Sequence, residues 1–269
     1  MNTQLETYKT YLINLHKSLV YYNYLNVLLP YLEEKNLQFE TLTKEQLAQY
    51  FSDKNYKPNS IDNVIKSCRD YCKFLGLINH SVFEMKQLDK PKRLPEYLTL
   101  EEIDKTIKNV ATYNSRLSSD KIAIILYFLF YTGIRKSELL NLKREDIDLI
   151  NCAVKIYEQK TKQEKIIYFP TKLIKKLIDF FNGNSEEKNA FNITESQINY
   201  LFRAIMTKYL GKKVKPHLTR HGGARYMLEK GVPITVVQRI LGHKSIFTTL
   251  QYLDPDQAMI EKIYKEKIK

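Results

Sequence analysis

Cysteine is scarce in this chain: there are three, Cys68, Cys72 and Cys152, in 269 residues. Cys68 and Cys72 stand at i and i+4 of a predicted helix, with no second pair to complete a metal site or a disulfide framework, so they are assigned to core packing. Long hydrophobic runs are also missing. The longest, residues 122–131, falls well short of the roughly 20 residues that a membrane-crossing helix needs. The opening residues, MNTQLETYKTYL, lack the basic start and apolar block of a secretory leader. The expectation is a soluble cytoplasmic protein without a membrane partner. None of the eight glycines is arranged as a phosphate-binding loop, and no carboxylates are spaced as metal ligands, so neither a nucleotide nor a metal or other cofactor is expected. Internal repeats and low-complexity tracts are absent.

Positive charge is what the chain has in excess. The formal net charge is +13 and the pI about 9.4, with a hydrophobic content of 43% that suffices for real cores. The excess is uneven: residues 1–90 carry 11 Lys and Arg against 10 Asp and Glu, and residues 91–269 carry 32 against 20. A polyanionic partner is implied, nucleic acid or an anionic surface, held mainly by the C-terminal two thirds.

Apolar periodicity predicts a helical N-terminal domain over residues 1–88. Over residues 3–35 apolar residues recur at helical spacing, and the pattern is expected to break or restart at Pro30. Thr43 is a candidate N-cap for a helix over 44–51, and Ser60 for a helix that stops at Gly76. Lys66, Arg69 and Lys73 fall at i, i+3 and i+7 of that helix. Such a stripe is either a solvated face or a set of DNA phosphate contacts. Residues 89–97, DKPKRLPEY, read as a basic linker carrying Lys92 and Arg93. Residues 98–269 form a second domain. Thr99 and Glu102 make a capping box, residues 120–131 a central apolar helix, and Arg135 opens the next helix. A hairpin follows, AVKIY then KIIYF, with Lys160 and Lys162 near its tip. Helices are expected over 172–181 and 196–210. The fold class is mainly α with one small antiparallel hairpin.

The stretch 217–252 holds three of the five histidines, His217, His221 and His243, together with Arg220 and Tyr252. It is expected to fold as three helices, the first starting at Thr219, the second at Pro233, the third capped by Ser245 and carrying Tyr252. Arg135, Lys160, His217, Arg220, His243 and Tyr252 form a set with a defined chemistry. Two arginines can fork onto the non-bridging oxygens of a phosphodiester, and histidines can donate hydrogen bonds or move protons near neutral pH. A lysine can protonate a leaving oxygen, and a tyrosine can attack phosphorus to give a covalent ester.

YTGIRKSELLNLKREDID resembles the first arginine box of the tyrosine site-specific recombinases, the group of lambda integrase, Cre and Xer. HLTRHGGARYMLEKGV with VVQRILGHKSIFTTLQYL resembles their second box, and EQKTKQEKIIYFP the hairpin that holds their lysine. The resemblance covers residues 98–252. It implies a two-domain, C-shaped clamp, with an N-terminal helical, SAM-like core-binding domain and a catalytic domain. It further implies that Arg135 and Arg220 bind the scissile phosphate, with His243 hydrogen-bonding it. His217 would orient the phosphate or take the tyrosine proton. Lys160, with Lys162 as competitor, would be the general acid, and Tyr252 would form a 3′-phosphotyrosyl link. Glu138 is either a buttress for Arg135 or a plain surface residue. A tail, residues 253–269, would dock on a neighbouring protomer of a homotetramer built on double-stranded DNA. The implied function is site-specific recombination through a Holliday junction, for dimer resolution or mobile-element integration. The competing readings are a type IB topoisomerase and a non-cleaving DNA-binding protein. His221 fits no role in the set and is taken as structural. Gly222-Gly223 departs from the family pattern; it is expected either to delay the helix start or to let backbone approach DNA.

Overall fold

The computed structural model describes residues 2–86, 96–110, 117–158, 163–183, 189–243, 245–252 and 264–265. The chain divides into two compact units, residues Met1–Lys92 and Arg93–Lys269. Among the described residues no helix is long and apolar enough to cross a membrane.

The first unit is helical: α1 (Asn2–Asn14), α2 (Val20–Glu34), α3 (Lys44–Asp53) and α4 (Pro58–Leu75). The break in the N-terminal stretch comes before α2, not at Pro30. His16 turns into the left-handed region (φ 51°) and the Lys17 N–H closes back on the Leu12 carbonyl at 2.8 Å, while Pro30 sits inside α2. Helix α3 has the expected cap, a reciprocal Thr43–Gln46 box. Helix α4 starts at Pro58 rather than after Ser60, because proline's fixed φ suits a first helical position. It ends on Gly76 at φ 74°. Leu25, Leu28 and Leu32 of α2 pack with Val64, Cys68 and Cys72 of α4, and both cysteines are buried free thiols.

The basic stripe on α4 needs correction. Lys66 and Lys73 are exposed, but Arg69 is turned inward onto its own unit. Its Nε donates to the Val82 carbonyl at 3.2 Å, and its Nη2 donates to the carbonyls of Phe83 and Met85. A guanidinium carries five N–H donors in a fixed fork, and here Nε and Nη2 are directed at these carbonyls.

The second unit is built on α6 (Ser119–Thr132), an apolar helix with nine residues buried. Around it lie α5 (Leu100–Val110), α7 (Lys136–Asn141), α8 (Ile174–Asn182) and a rod made of α9 (Glu195–Tyr200), a π-helical stretch (Leu201–Met206) and α10 (Thr207–Leu210). The Thr99–Glu102 box caps α5 in both directions, at 3.1 and 3.2 Å. The sheet is antiparallel with order β1-β2-β3: β1 (Ile147–Asp148), unanticipated, β2 (Ala153–Glu158) and β3 (Gln163–Tyr168). Register pairs Val154 with Ile167 and Ile156 with Lys165, and Val154, Ile156 and Ile167 are all buried. Side chains directly opposite share a face, so Lys165 lies on the core side of the sheet.

Helix α11 (His217–Glu229) is followed by α12 (Ile234–Leu241) and a short α13 (Ile246–Leu250). Helix α11 starts at His217, two residues before the expected Thr219, and runs through Gly222-Gly223 without delay. A Cβ on Gly222 would lie 1.8 Å from the Leu98 carbonyl oxygen, and one on Gly223 2.0 Å from that of Phe130. The close approach these glycines permit is therefore to the chain's own backbone: α11 lies directly against α6 and against Leu98, just before α5. Ser245 precedes α13 without a side-chain capping bond, and Tyr252 sits two residues beyond the helix, not on it.

Candidate active site

Gly133 ends α6 in a left-handed turn (φ 62°), which frees its carbonyl and presents Arg135 at the start of α7. Arg220, on α11, is 1% exposed. Its Nη1 donates to the Gly133 carbonyl at 2.6 Å and its Nη2 to the Leu241 carbonyl. One buried guanidinium thus ties the ends of α6 and α12 to α11. A charge so buried is sustained by its hydrogen bonds.

Glu138 is the second organiser. Its carboxylate accepts from the Arg135 backbone N–H at 2.7 Å and from Arg135 Nη1 at 2.9 Å. The same Oε1 accepts from Lys165 Nζ at 3.1 Å. The buttress reading of Glu138 holds, and it extends to a lysine that the sequence reading passed over. Lys165 is mostly buried, and desolvation lowers its pKa; Glu138 opposes that shift, while Arg220 and Arg135 add to it. The period-2 pattern carried the signal, since Lys165, Ile167 and Phe169 alternate onto one face. Lys160 and Lys162, like Lys92 and Arg93 and the tail over 253–263, lie outside the described residues.

The histidines gather around Tyr252. His217 keeps an exposed edge, yet desolvation, then Arg220 and Arg135, lower its pKa. Its ring meets that of His221 edge-on, centroids 4.1 Å apart. His243 is fixed by Nδ1 against Thr249 Oγ1 at 2.9 Å, and its carbonyl accepts from Gln238 Nε2 at 3.0 Å. Burial, then Arg220 and Arg135, push its pKa down to about 4. Tyr252 is 8% exposed, packed with Ala224, Leu228, Val237 and Leu241. Burial raises its pKa, while Arg220 pulls it down.

His221 does not stand aside. Its Nδ1 lies 2.5 Å from Tyr252 Oη. The sequence reading took His221 as structural; the i, i+3, i+4 spacing of His217, Arg220 and His221 puts all three on one face of α11, so its place beside the set was readable from helical period alone. Beside the cluster, Lys165, Arg239, Gly242 and His243 line part of an open cleft of about 400 Å³. The set can hold an anion between Arg220 and Arg135 and bring a phenol to it.

Residues 96–259 match the model of the phage integrase family. The chain belongs to that family. It is 31% identical over 209 residues to the tyrosine recombinase XerA of Pyrococcus furiosus, spanning 74% of this chain and 71% of the relative. It is 26% identical over 252 residues to XerC of Staphylococcus aureus, spanning 87% and 84%. Among solved structures, the Tn1549 transposon integrase, captured with a circular intermediate DNA, superposes with a TM-score of 0.69 at 17% identity over 86% of this chain and 87% of that one. As a phage integrase family member the chain is a tyrosine site-specific recombinase, and its mainly helical fold with a small antiparallel sheet is that of the solved integrases.

Proposed function

We propose that this recombinase cuts and rejoins double-stranded DNA at a specific site, with Tyr252 as nucleophile and Arg135 and Arg220 as the phosphate clamp. The observation that carries the reading is the convergence of α7, α11, the α12–α13 turn and the Tyr252 phenol on one point. The arginines compensate the charge of the pentavalent transition state, and the low-dielectric setting of Arg220 strengthens that compensation. His217 and His243 hydrogen-bond the phosphoryl oxygens. Tyr252 Oη forms the bond to phosphorus as the bond to the 5′ oxygen breaks. Lys160, with Lys162 as the alternative, gives that oxygen its proton. The phosphotyrosyl ester conserves the bond energy, so the 5′-hydroxyl of another strand can reverse the step. The helical first unit grips the site through Lys66 and Lys73, and the basic segment carrying Lys92 and Arg93 adds to the grip. Four protomers on two sites exchange strands through a Holliday junction in the cytoplasm, the tail over 253–269 docking between neighbours.

Trapping tests this reading. Nicked duplexes with randomised arms, incubated with the protein, should leave a covalent adduct on a denaturing gel, and sequencing of the trapped DNA should return one core site. Tyr252→Phe should abolish the adduct. An adduct formed equally by that variant refutes the assignment. Relaxation of supercoiled plasmid without recombination of a two-site plasmid would favour a topoisomerase instead.

A further inference from the structure

The structure assigns the tyrosine proton to His221 rather than His217: we propose that His221 Nδ1 receives it as Tyr252 attacks. The inference rests on the reading of Tyr252 as nucleophile. Its basis is geometric. His221 Nδ1 and Tyr252 Oη are 2.5 Å apart, with ring centroids at 5.0 Å. Both groups are removed from bulk water, Tyr252 buried and His221 half-buried. His243, the other histidine near the phenol, stacks at 6.1 Å between centroids and has its Nδ1 on Thr249. His217 lies behind His221, ring against ring. The proton path from Oη that needs no rearrangement therefore ends on His221.

The electrostatics give this pair a built-in condition. Burial first, then His217, Arg220 and His243, lower the His221 pKa to about 4, so at neutral pH its Nδ1 is free to accept but holds a proton poorly. The charged and titratable groups of the cluster are His217 and Arg220 from α11, His243 after α12, Arg135 from the start of α7, Lys165 from β3 and Glu138 of α7, whose carboxylate Arg135 and Lys165 share; apart from the histidines, three cations among these meet one anion. A phosphodiester arriving between the arginines adds negative charge to a field that is net positive even with Glu138 counted. It raises the proton affinity of His221 and completes the acceptor. In the DNA-free protein the phenol stays protonated and inert. In the cleavage step the Oη–H proton moves to Nδ1, Oη–P forms, P–O5′ breaks, and the 5′ oxygen takes its proton from the lysine. Rejoining runs in reverse, the imidazolium returning its proton to the departing phenol.

The test is single-turnover cleavage of a nicked duplex bearing the trapped core site, with gel-shift binding as the control for folding. His221→Asn keeps a hydrogen-bond acceptor for Oη but cannot take a proton, and His221→Ala keeps neither. Both should cleave roughly 10²-fold more slowly than wild type at pH 7. Both should recover as the pH rises past about 10, since a free phenol ionises near 10 and burial holds that of Tyr252 above it. A 5′-bridging phosphorothiolate, whose leaving group needs no acid, should leave the defect in place. The proposal is overturned if His221→Asn cleaves at the wild-type rate at pH 7, if the phosphorothiolate erases the defect, or if His217→Asn alone shows this pH-rescued loss. A wild-type chain that traps no DNA, or a Tyr252→Phe chain that does, refutes instead the reading of Tyr252 on which the proposal rests.

Discussion

Gly223→Ala is a small change with an opposed pair of effects. On helix propensity alone, replacing an interior glycine by alanine stabilises by up to about 1 kcal/mol. Here the added Cβ would sit 2.0 Å from the Phe130 carbonyl oxygen, and that oxygen belongs to the backbone of the buried helix α6. Ordinary contact begins near 3.4 Å, so α11 and α6 must part by more than an ångström. Neither can bend away easily, since α6 is buried along most of its length. Overpacking of this kind costs about 1–3 kcal/mol, sometimes more, and the separation also pulls Arg220 from the Gly133 carbonyl, now at 2.6 Å. Loss of a charge-assisted bond on a buried guanidinium adds roughly 1.5–3 kcal/mol. After the propensity gain, a net loss of about 2–4 kcal/mol is expected. In a unit of this size that lowers the melting temperature by roughly 5–15 °C. Urea unfolding followed by far-ultraviolet circular dichroism measures the first quantity and covalent trapping of DNA reports on the Arg220 anchor. A variant within about 0.5 kcal/mol of wild type, cleaving at the wild-type rate, would refute the claim that these helices touch through glycine.

Three further outcomes follow from other parts of the molecule. Glu138→Gln removes the charge shared by Arg135 and Lys165, leaving two cations face to face; cleavage should fall on the order of 10-fold with DNA affinity little changed, and unchanged cleavage would show that the carboxylate only fills space. Stability should decline as pH falls from about 6.5 to 4. The unfolded chain takes up protons in that window that His221 and His243, with pKa values lowered to about 4, refuse when folded; urea midpoints at pH 7.5 and 5 measure the slope, and His221→Asn should flatten it. Arg69→Ala should destabilise the first unit while leaving the salt dependence of DNA binding intact. Lys66→Ala and Lys73→Ala should do the reverse, each lowering the slope of log affinity against log salt by about 1, and a salt slope that responds to Arg69 instead would return that residue to the DNA.

Local order was legible in the chain wherever one residue type has one physical job. The caps at Thr43 and Thr99, the left-handed stops at Gly76 and Gly133, and the apolar helix across residues 120–131 all follow from short-range chemistry, and the structure has each of them. The two arginine boxes and the terminal tyrosine were legible as a set because their order and spacing exclude most alternatives. Position along a helix was less secure. Pro30 was read as a break, but a proline with its ring toward solvent can stay within a helix that tertiary packing supports. Arg69 was read by its charge and spacing, while its neighbours were the carbonyls of a segment about 15 residues away in sequence, whose direction no local pattern encodes.

Composition, periodicity and motif spacing alone determined a basic, mainly helical protein of two units, with arginines, histidines and a tyrosine suited to phosphodiester chemistry. They did so because capping, amphipathic period and charge act over one or two helical turns. Which histidine meets the phenol, which lysine shares Glu138 with Arg135, and why two glycines stand in the middle of α11 were decided only in three dimensions. Each depends on segments 27 to 124 residues apart, and distances of that kind are set by how closely helices and strands pack, a property of no single stretch of sequence.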